Sequence, residues 1–376
     1  MKIGILTFWN TPDNYGQMLQ CFALQTYLRE QGHDTFLVRT GREWRPLSGF
    51  IPQLKDKIRS ANRLRQYPLF LTGKIFSNLY YLFTHFHLKQ YIIERGFDSF
   101  RKDYLNCSDK IYSLEELMQN PPQADCFIVG SDQIWNTRDG IYFLSWANDS
   151  VKKIAYAASF GGLKGEQEFY NLIRLWLQRF DWISVREQSG VDICKASGRN
   201  DVQLVCDPTL LLHSEDYKKL VDPNTVCLPK RKYIFVYLLG TRTHIRMKDV
   251  YAYAERKNMD VIYVGSQGVV DKFSRIEPII GEWINYIANA EMIITNSFHG
   301  TVFSILFEKR FMNFLVYGAA IRMNDRIKTI LCHLGLENRI FNGELNAIEN
   351  AIDYERVNKI LEADRETSGA CLLKNV

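Results

Sequence analysis

The chain carries eight cysteines (21, 107, 126, 194, 206, 227, 332 and 371), yet none form a C-x-x-C pair or stand at Cys/His ligand spacing. A disulfide framework and a zinc site are therefore not expected, and a reducing compartment is. Cys126 and Cys206 lie in or beside apolar runs, where a thiol behaves as a small hydrophobe. No stretch approaches the ~20 uninterrupted apolar residues of a membrane span, and the apolar run in MKIGILTFW is too short for a signal peptide. The expected location is cytoplasmic. G-x-G-x-x-G is missing, which removes the usual dinucleotide fingerprint. Solenoid repeats and low-complexity tracts are missing too. Overall charge is modest, at +5 over 376 residues, but it is unevenly placed. The segment from Arg42 to Arg95 holds ten Lys/Arg against three acids, so one region is basic and the protein as a whole is not. With that charge confined to an aromatic-rich segment and no recognised binding motif, nucleic acid is not an expected partner.

What is present is ordinary soluble composition in a length that favours two domains. Lys2 to Phe8 reads as a strand, Asn10 to Gly16 as a turn-rich loop, Gln17 to Gly32 as a helix and Thr35 to Val38 as a second strand. This order opens a parallel α/β domain. Around Asn14 and Gly16 the loop either presents backbone N–H groups to an anion or simply connects strand to helix. Residues 45–100 read as a helical, basic insert with Tyr67, Phe70, Phe76, Tyr80 and Tyr81 interleaved. It either touches an anionic bilayer or a lipid-linked substrate, or packs one face on the domain and solvates the other.

Further strands end in polar turns. Cys126 to Val129 leads to Gly130-Ser131-Asp132, with Trp135 close behind. Ile154 to Ala158 leads to Ser159, Trp182 to Val185 leads to Arg186, and Gln203 to Val205 leads to Asp207-Pro208-Thr209. Ser214 to Lys230, with Pro223 and Pro229, reads as a linker. A second α/β unit follows, with strands at Tyr233 to Leu239 and Val261 to Val264 and helices near Met247 to Lys257 and Trp283 to Ala288. Met292-Ile293-Ile294 is a buried strand that runs into Thr295-Asn296-Ser297, and a helix begins around His299-Gly300. The tail from Asn346 to Ala363 is amphipathic and helical. The expected fold is α/β, with two Rossmann-like domains facing across a cleft in the GT-B manner. The N-terminal domain spans 1–225 on the acceptor side, and the C-terminal domain spans 226–376 on the donor side.

A lone histidine in a tight loop is more often a plain polar residue than a catalyst. Here several strands deliver polar residues to one sheet edge, where ligands of open α/β sheets bind, and that moves His299 toward function. Trp135 offers a flat apolar face to a ligand, or belongs to the core. Asp132 serves as a base toward a ligand hydroxyl, as a hydrogen-bond acceptor for it, or as the N-cap of a following helix.

NTPDNYGQMLQCFALQTYL, DCFIVGSDQIWN, YAASFG, SVREQSG, CDPTLLL and ANAEMIITNSFHGTVFSILFEKRF, taken in that order, resemble the polysaccharide pyruvyl transferase family. The likeness spans nearly the whole chain apart from the basic insert. It implies a GT-B-like fold and transfer of the pyruvyl group of phosphoenolpyruvate to two sugar hydroxyls, giving a cyclic ketal on a surface or capsular polysaccharide. It implies no cofactor and no metal; phosphoenolpyruvate is the donor substrate, and the partner is a saccharide acceptor, lipid-linked or free. The family's catalytic histidine matches His299, and the arginine of its V-R-[DE] motif matches Arg186. Better-characterised members carry an arginine two residues before the histidine, where this chain has Ser297. Arg322 and Arg326 follow shortly and are the candidates to replace it. Two other classes remain open at this point: a GT-B glycosyltransferase using a nucleotide sugar, and a non-catalytic saccharide-binding assembly subunit.

Ketal formation from an enol phosphate needs a proton delivered to the methylene carbon, a hydroxyl deprotonated and phosphate released. A histidine with a reference pKa near ~6.5 is suited to such proton transfer. Arg186 and Arg326 suit bidentate binding of carboxylate or phosphate, and Ser131, Ser297, Asn14 and Gly16 complete the expected substrate contacts.

Overall fold

The computed structural model describes residues 1–11, 13–41, 95–136, 140–161, 167–223, 228–240, 244–266 and 273–376. The basic insert falls almost wholly outside them, as does the expected domain boundary at 225/226. Ten strands form two parallel sheets. The first contains β1 (Lys2–Leu6), β2 (Asp34–Leu37), β3 (Cys126–Gly130), β4 (Lys152–Ala158), β5 (Trp182–Val185) and β6 (Gln203–Leu204), in the order β2-β1-β3-β4-β5-β6. The second contains β7 (Tyr233–Leu238), β8 (Asp260–Gly265), β9 (Met292–Thr295) and β10 (Arg310–Asn313), in the order β10-β9-β7-β8. Parallel strands need crossovers, and helices supply them within each sheet: α1 (Tyr15–Glu30), α2 (Phe97–Tyr104), α3 (Leu114–Gln119), α4 (Gln167–Leu177) and α5 (Gln188–Ala196) in the first; α6 (Ser214–Lys218) leads to the second, where α7 (Met247–Arg256), α8 (Ile280–Asn289) and α9 (Phe298–Leu306) cross over, and α10 (Asp325–His333) and α11 (Tyr354–Asn375) follow the last strand. No described helix is long and apolar enough to cross a membrane.

The strand residues are buried on both faces, as sheets covered by helices on each side require: β3, β5, β7 and β9 are buried throughout. In each sheet the order reverses once, between β1 and β3 and between β7 and β9, and a crevice opens at the carboxyl ends there. The two domains share one continuous apolar core, in which Ile5, Leu24 and Ile128 of the first domain join Phe235, Ile293 and Phe303 of the second. Tyr15, the first residue of α1, stacks on Trp283 of α8 (centroids 5.2 Å, planes at 7°), and its hydroxyl donates to the Pro278 carbonyl at 2.6 Å. Arg95 is buried alongside, donating to the Gly265 carbonyl at 2.7 Å and pairing with Glu277.

Helix α11 starts later than its periodicity indicates and runs to the end of the chain. It begins on the second domain, where Tyr354 donates to the Lys309 carbonyl at 2.5 Å. It ends on the first: Arg365 donates to the Leu210 carbonyl at 2.9 Å, Ser368 Oγ accepts from Cys206 N at 3.0 Å, and Gly369 lies against the Tyr27 hydroxyl. Gly369 is needed because a Cβ there would sit 2.2 Å from that oxygen. The linker reading from Ser214 also misses a short helix, α6, whose Tyr217 is buried against Phe303.

Candidate functional site

The turn from β9 to α9 is wired residue by residue. Thr295 Oγ1 donates to the Tyr237 carbonyl at 2.8 Å and accepts from Ser297 N at 3.0 Å. The Asn296 side chain ties β7 to β9 by pairing with both backbone groups of Leu239 at 2.7 and 2.9 Å. Ser297 caps α9 by accepting from Gly300 N at 3.3 Å. Gly300 admits no side chain, because a Cβ would lie 2.3 Å from Thr295 Oγ1. His299 is thereby held in the first turn of α9, only 4% exposed.

The first domain meets it there. Asn14 caps α1 by accepting from Gln17 N at 3.2 Å, and Gly16 follows directly against the His299 ring. Beyond the ring, His299 Nε2 lies 3.7 Å from Asp207 Oδ1 and is buried without a hydrogen-bond partner among the described residues. Asp207 itself caps the turn Pro208–Leu210. Its Oδ1 accepts from Thr209 N at 3.0 Å and Thr209 Oγ1 at 2.7 Å. Its Oδ2 accepts from Ser131 Oγ at 2.6 Å and from Arg186. Burial alone would raise the Asp207 pKa. The Arg186 guanidinium, the nearby His299 and the Ser131 hydrogen bond outweigh it and hold the carboxyl well below its ordinary value.

Arg186 is the hub. It donates to Ser131 Oγ at 2.7 Å, pairs with Asp207 and Asp132 (3.5 Å), and lies over the Phe298 ring at 4.8 Å. Arg326, in the first turn of α10, lies over the same ring at 5.4 Å and 3.9 Å from Asp132 Oδ1. Burial, with Arg186 close by, lowers the Arg326 pKa to about 10, and its Nε is buried without a hydrogen-bond partner among the described residues. Glu187, fully buried beside Arg186, accepts from Phe160 N at 3.0 Å, and burial raises its pKa. Asp132 adopts a left-handed backbone (φ 66°), and its Oδ1 accepts from Gln133 N at 2.9 Å. The residues after it form a turn and no helix, so the N-cap role has no helix to act on.

The expected site residues thus divide. His299, Asp132, Arg186, Ser131 and Arg326 come together in one buried cluster at the facing sheet edges. Ser297 and Asn14 cap the two helices that meet there. Gly16 serves as the space His299 occupies. Trp135 is elsewhere: fully buried, it stacks on Phe143 at 5.2 Å and donates to the Tyr142 carbonyl at 2.9 Å. A sugar cannot reach its face. Arg322 is exposed on the stretch before α10. Asp207 and Glu187 join the cluster although the sequence reading left them out. The signal for Asp207 was its place before a proline at a strand end.

Beside the cluster, at the reversal point of the second sheet, lies a cavity of about 320 Å³ lined by Leu239, Gly240, Asn296, Ser297, Phe298 and Arg326 among others. His299 does not line it; its ring packs edge-on against that of Phe298, with centroids 5.1 Å apart. Among the described residues no group of His, Cys, Asp and Glu has the arrangement of a metal site.

The sequence profile described as polysaccharide pyruvyl transferase matches residues 14–317, most of the chain and every residue of the cluster but Arg326. The chain belongs to that family. Membership implies a transferase. No match to the chain is found among curated proteins. Among solved structures, it is similar to UDP-GlcNAc 2-epimerase from Neisseria meningitidis bound to UDP-GlcNAc (10% identity, TM-score 0.50, covering 100% of this chain and 99% of that one). It is also similar to UDP-N-acetylglucosamine 2-epimerase from Rickettsia bellii (10% identity, TM-score 0.51, covering 100% and 95%). At such identity the likeness concerns the fold, which this family member shares with GT-B proteins: parallel α/β sheets in two domains.

Proposed function

We propose that this family member transfers the pyruvyl group of phosphoenolpyruvate to two hydroxyls of a sugar, forming a cyclic ketal in surface or capsular polysaccharide biosynthesis. The observation that carries the reading is Arg326. A buried guanidinium with an unsatisfied Nε faces a cavity at the start of a capped helix, next to a histidine. Such a group calls for an anion, and the helix N-terminus adds to the attraction. At about 320 Å³ the cavity lies at the small end of the ~300–1,000 Å³ typical of ligand pockets, which favours a compact phosphorylated acid over a nucleotide sugar.

In this reading Arg326 holds the donor's phosphate or carboxylate. His299, reached once the Phe298 ring turns aside, delivers a proton to the methylene carbon of the donor. Asp132, held near both guanidiniums, accepts from the attacking hydroxyl. That hydroxyl bonds to the central carbon, phosphate departs with its bonding electrons, and the second hydroxyl closes the ketal, giving its proton to the released phosphate, while the proton taken by Asp132 makes good through solvent the one His299 delivered. One donor and one diol give one ketal and one phosphate. The acceptor is a saccharide, lipid-linked or free, and the enzyme works in the cytoplasm.

Phosphate release from phosphoenolpyruvate, measured with and without a panel of acceptor sugars, tests this. Acceptor-dependent release with a pyruvyl mass increment on the sugar is the expected result. Release of nucleoside diphosphate from a sugar nucleotide, with phosphoenolpyruvate inert, would assign the chain to glycosyl transfer instead.

A further inference from the structure

A second cavity, of about 230 Å³, lies on the other side of Phe298. Its walls come mostly from the segment Leu204 to Leu210 at the end of β6, helix α10 and the crossing helix α11, with Arg186 and Phe298 completing them. Phe298 lines both cavities, with Arg326 on the side of the first and Arg186 on the side of the second. The inner end of the second cavity is buried and polar, with Arg186, Asp207 and Ser368. The outer end is open: His333 is half-exposed and its Nε2 lies 2.7 Å from Asp364 Oδ2. Between the two ends the wall is aliphatic, from Val205, Leu210, Ile330, Leu334 and Leu361.

This lining selects a chemical class. An anion would meet two carboxylates, Asp207 and Asp364, while the basic groups at hand, Arg186 and His333, are already engaged by them. A wholly apolar occupant would strip water from Asp364, His333 and Thr329 and return no hydrogen bonds, which is costly. A neutral ring with hydroxyls around its edge and C–H groups on its faces satisfies both the polar ends and the aliphatic walls. We propose that this cavity binds one pyranose ring, with Asp364 and His333 at the mouth taking its outer hydroxyls. Resting on the pyruvyl-transfer reading, this is the seat of the acceptor. Donor and acceptor then approach from opposite sides of Phe298, and the acceptor's seat is built by the crossing helix rather than by the turn that carries Trp135.

The test uses the full chain and methyl pyranosides of glucose, galactose, mannose and N-acetylglucosamine, with binding read by saturation-transfer NMR. Thr329→Phe fills the cavity from α10, and Asp364→Asn removes the carboxylate at the mouth with little change of shape. Neither residue touches the first cavity. At least one pyranoside should bind wild type. Thr329→Phe should weaken it by roughly tenfold or more, Asp364→Asn should weaken it less, and phosphoenolpyruvate affinity should be unchanged in both. No binding of any pyranoside, or equal binding by wild type and Thr329→Phe, overturns the proposal. Pyranoside binding that Thr329→Phe abolishes, in a protein that never turns over phosphoenolpyruvate, upholds this site and overturns the donor reading alone. Turnover of phosphoenolpyruvate with pyranoside binding indifferent to Thr329→Phe does the reverse.

Discussion

The His299 imidazole rests on the bare backbone of Gly16: a Cβ built there would lie 2.1 Å from the ring Cγ and 2.2 Å from Nδ1. The two residues belong to different domains, so the first turns of α1 and α9 come together at the site through a contact that only glycine permits. Gly16→Ala should therefore act through His299. Overpacking of this kind costs about 1–3 kcal/mol, so a lowered denaturation midpoint is expected together with a fall in turnover. If Gly16 acted as an anion-binding loop residue, the substitution would raise the donor KM and leave stability alone.

Asp207 supplies the closest counter-charge to Arg186 where neither group sees water. Breaking a buried pair costs about 3–5 kcal/mol, so Asp207→Ala should lose that order of stability in urea denaturation at neutral pH. The pH dependence has a definite sign. The folded-state pKa of Asp207 is depressed, so its stabilisation is complete above the unfolded value of about 3.9. It is lost only as pH falls below that value and through the lower folded one. The stability gap between wild type and Asp207→Asn should be full at neutral pH and narrow under acid; a gap that widens under acid would contradict the assignment.

Arg326 and Arg322 were equal candidates for the donor arginine, and burial separates them. Arg326→Gln should raise the donor KM by roughly ten- to a hundredfold, the equivalent of a charge-assisted hydrogen bond of about 1.5–3 kcal/mol. Arg322→Gln, on the exposed stretch before α10, should leave that KM within error. Steady-state phosphate release under saturating acceptor measures both.

Trp135 is fixed by packing on Phe143, Phe160 and Phe180. Trp135→Ala should cost about 3–5 kcal/mol of stability. Trp135→Phe, which keeps most of the volume, should leave the acceptor KM unchanged while lowering the melting temperature. A raised acceptor KM in a well-folded Trp135→Phe protein would return this residue to the site.

Much of the site was legible in advance because its signals are local. Apolar runs of strand length, each ending in Ser, Asp, Asn or Arg, located the carboxyl edges of β3, β5 and β9. Ser297 reads as a cap residue from its own immediate surroundings, whereas Asn14 reads only as part of a turn-rich loop. Residues whose role depends on a distant partner were not legible. Asp207 looks like any capping aspartate before a proline until folding brings Arg186, Ser131 and His299 around it. Trp135 looks like an aromatic platform until three rings close over it. The basic insert at 45–100, with its expected membrane contact, lies outside the described residues up to 94.

By itself, then, the sequence determined the succession of strands, turns and helices, and the family to which the chain belongs, since periodicity, caps and motif order act over a few residues. Tertiary structure decided which charges neutralise one another and why residue 16 has no side chain. It also decided that Arg326 rather than Arg322 faces the cavity beside the β9–α9 turn, and that α11 crosses back to wall a second one. These depend on contacts between segments distant in the chain, from 21 residues for Arg186 and Asp207 to 155 for Leu210 and Arg365, where burial raises the cost of an unpaired charge or an overlapping atom until one arrangement remains.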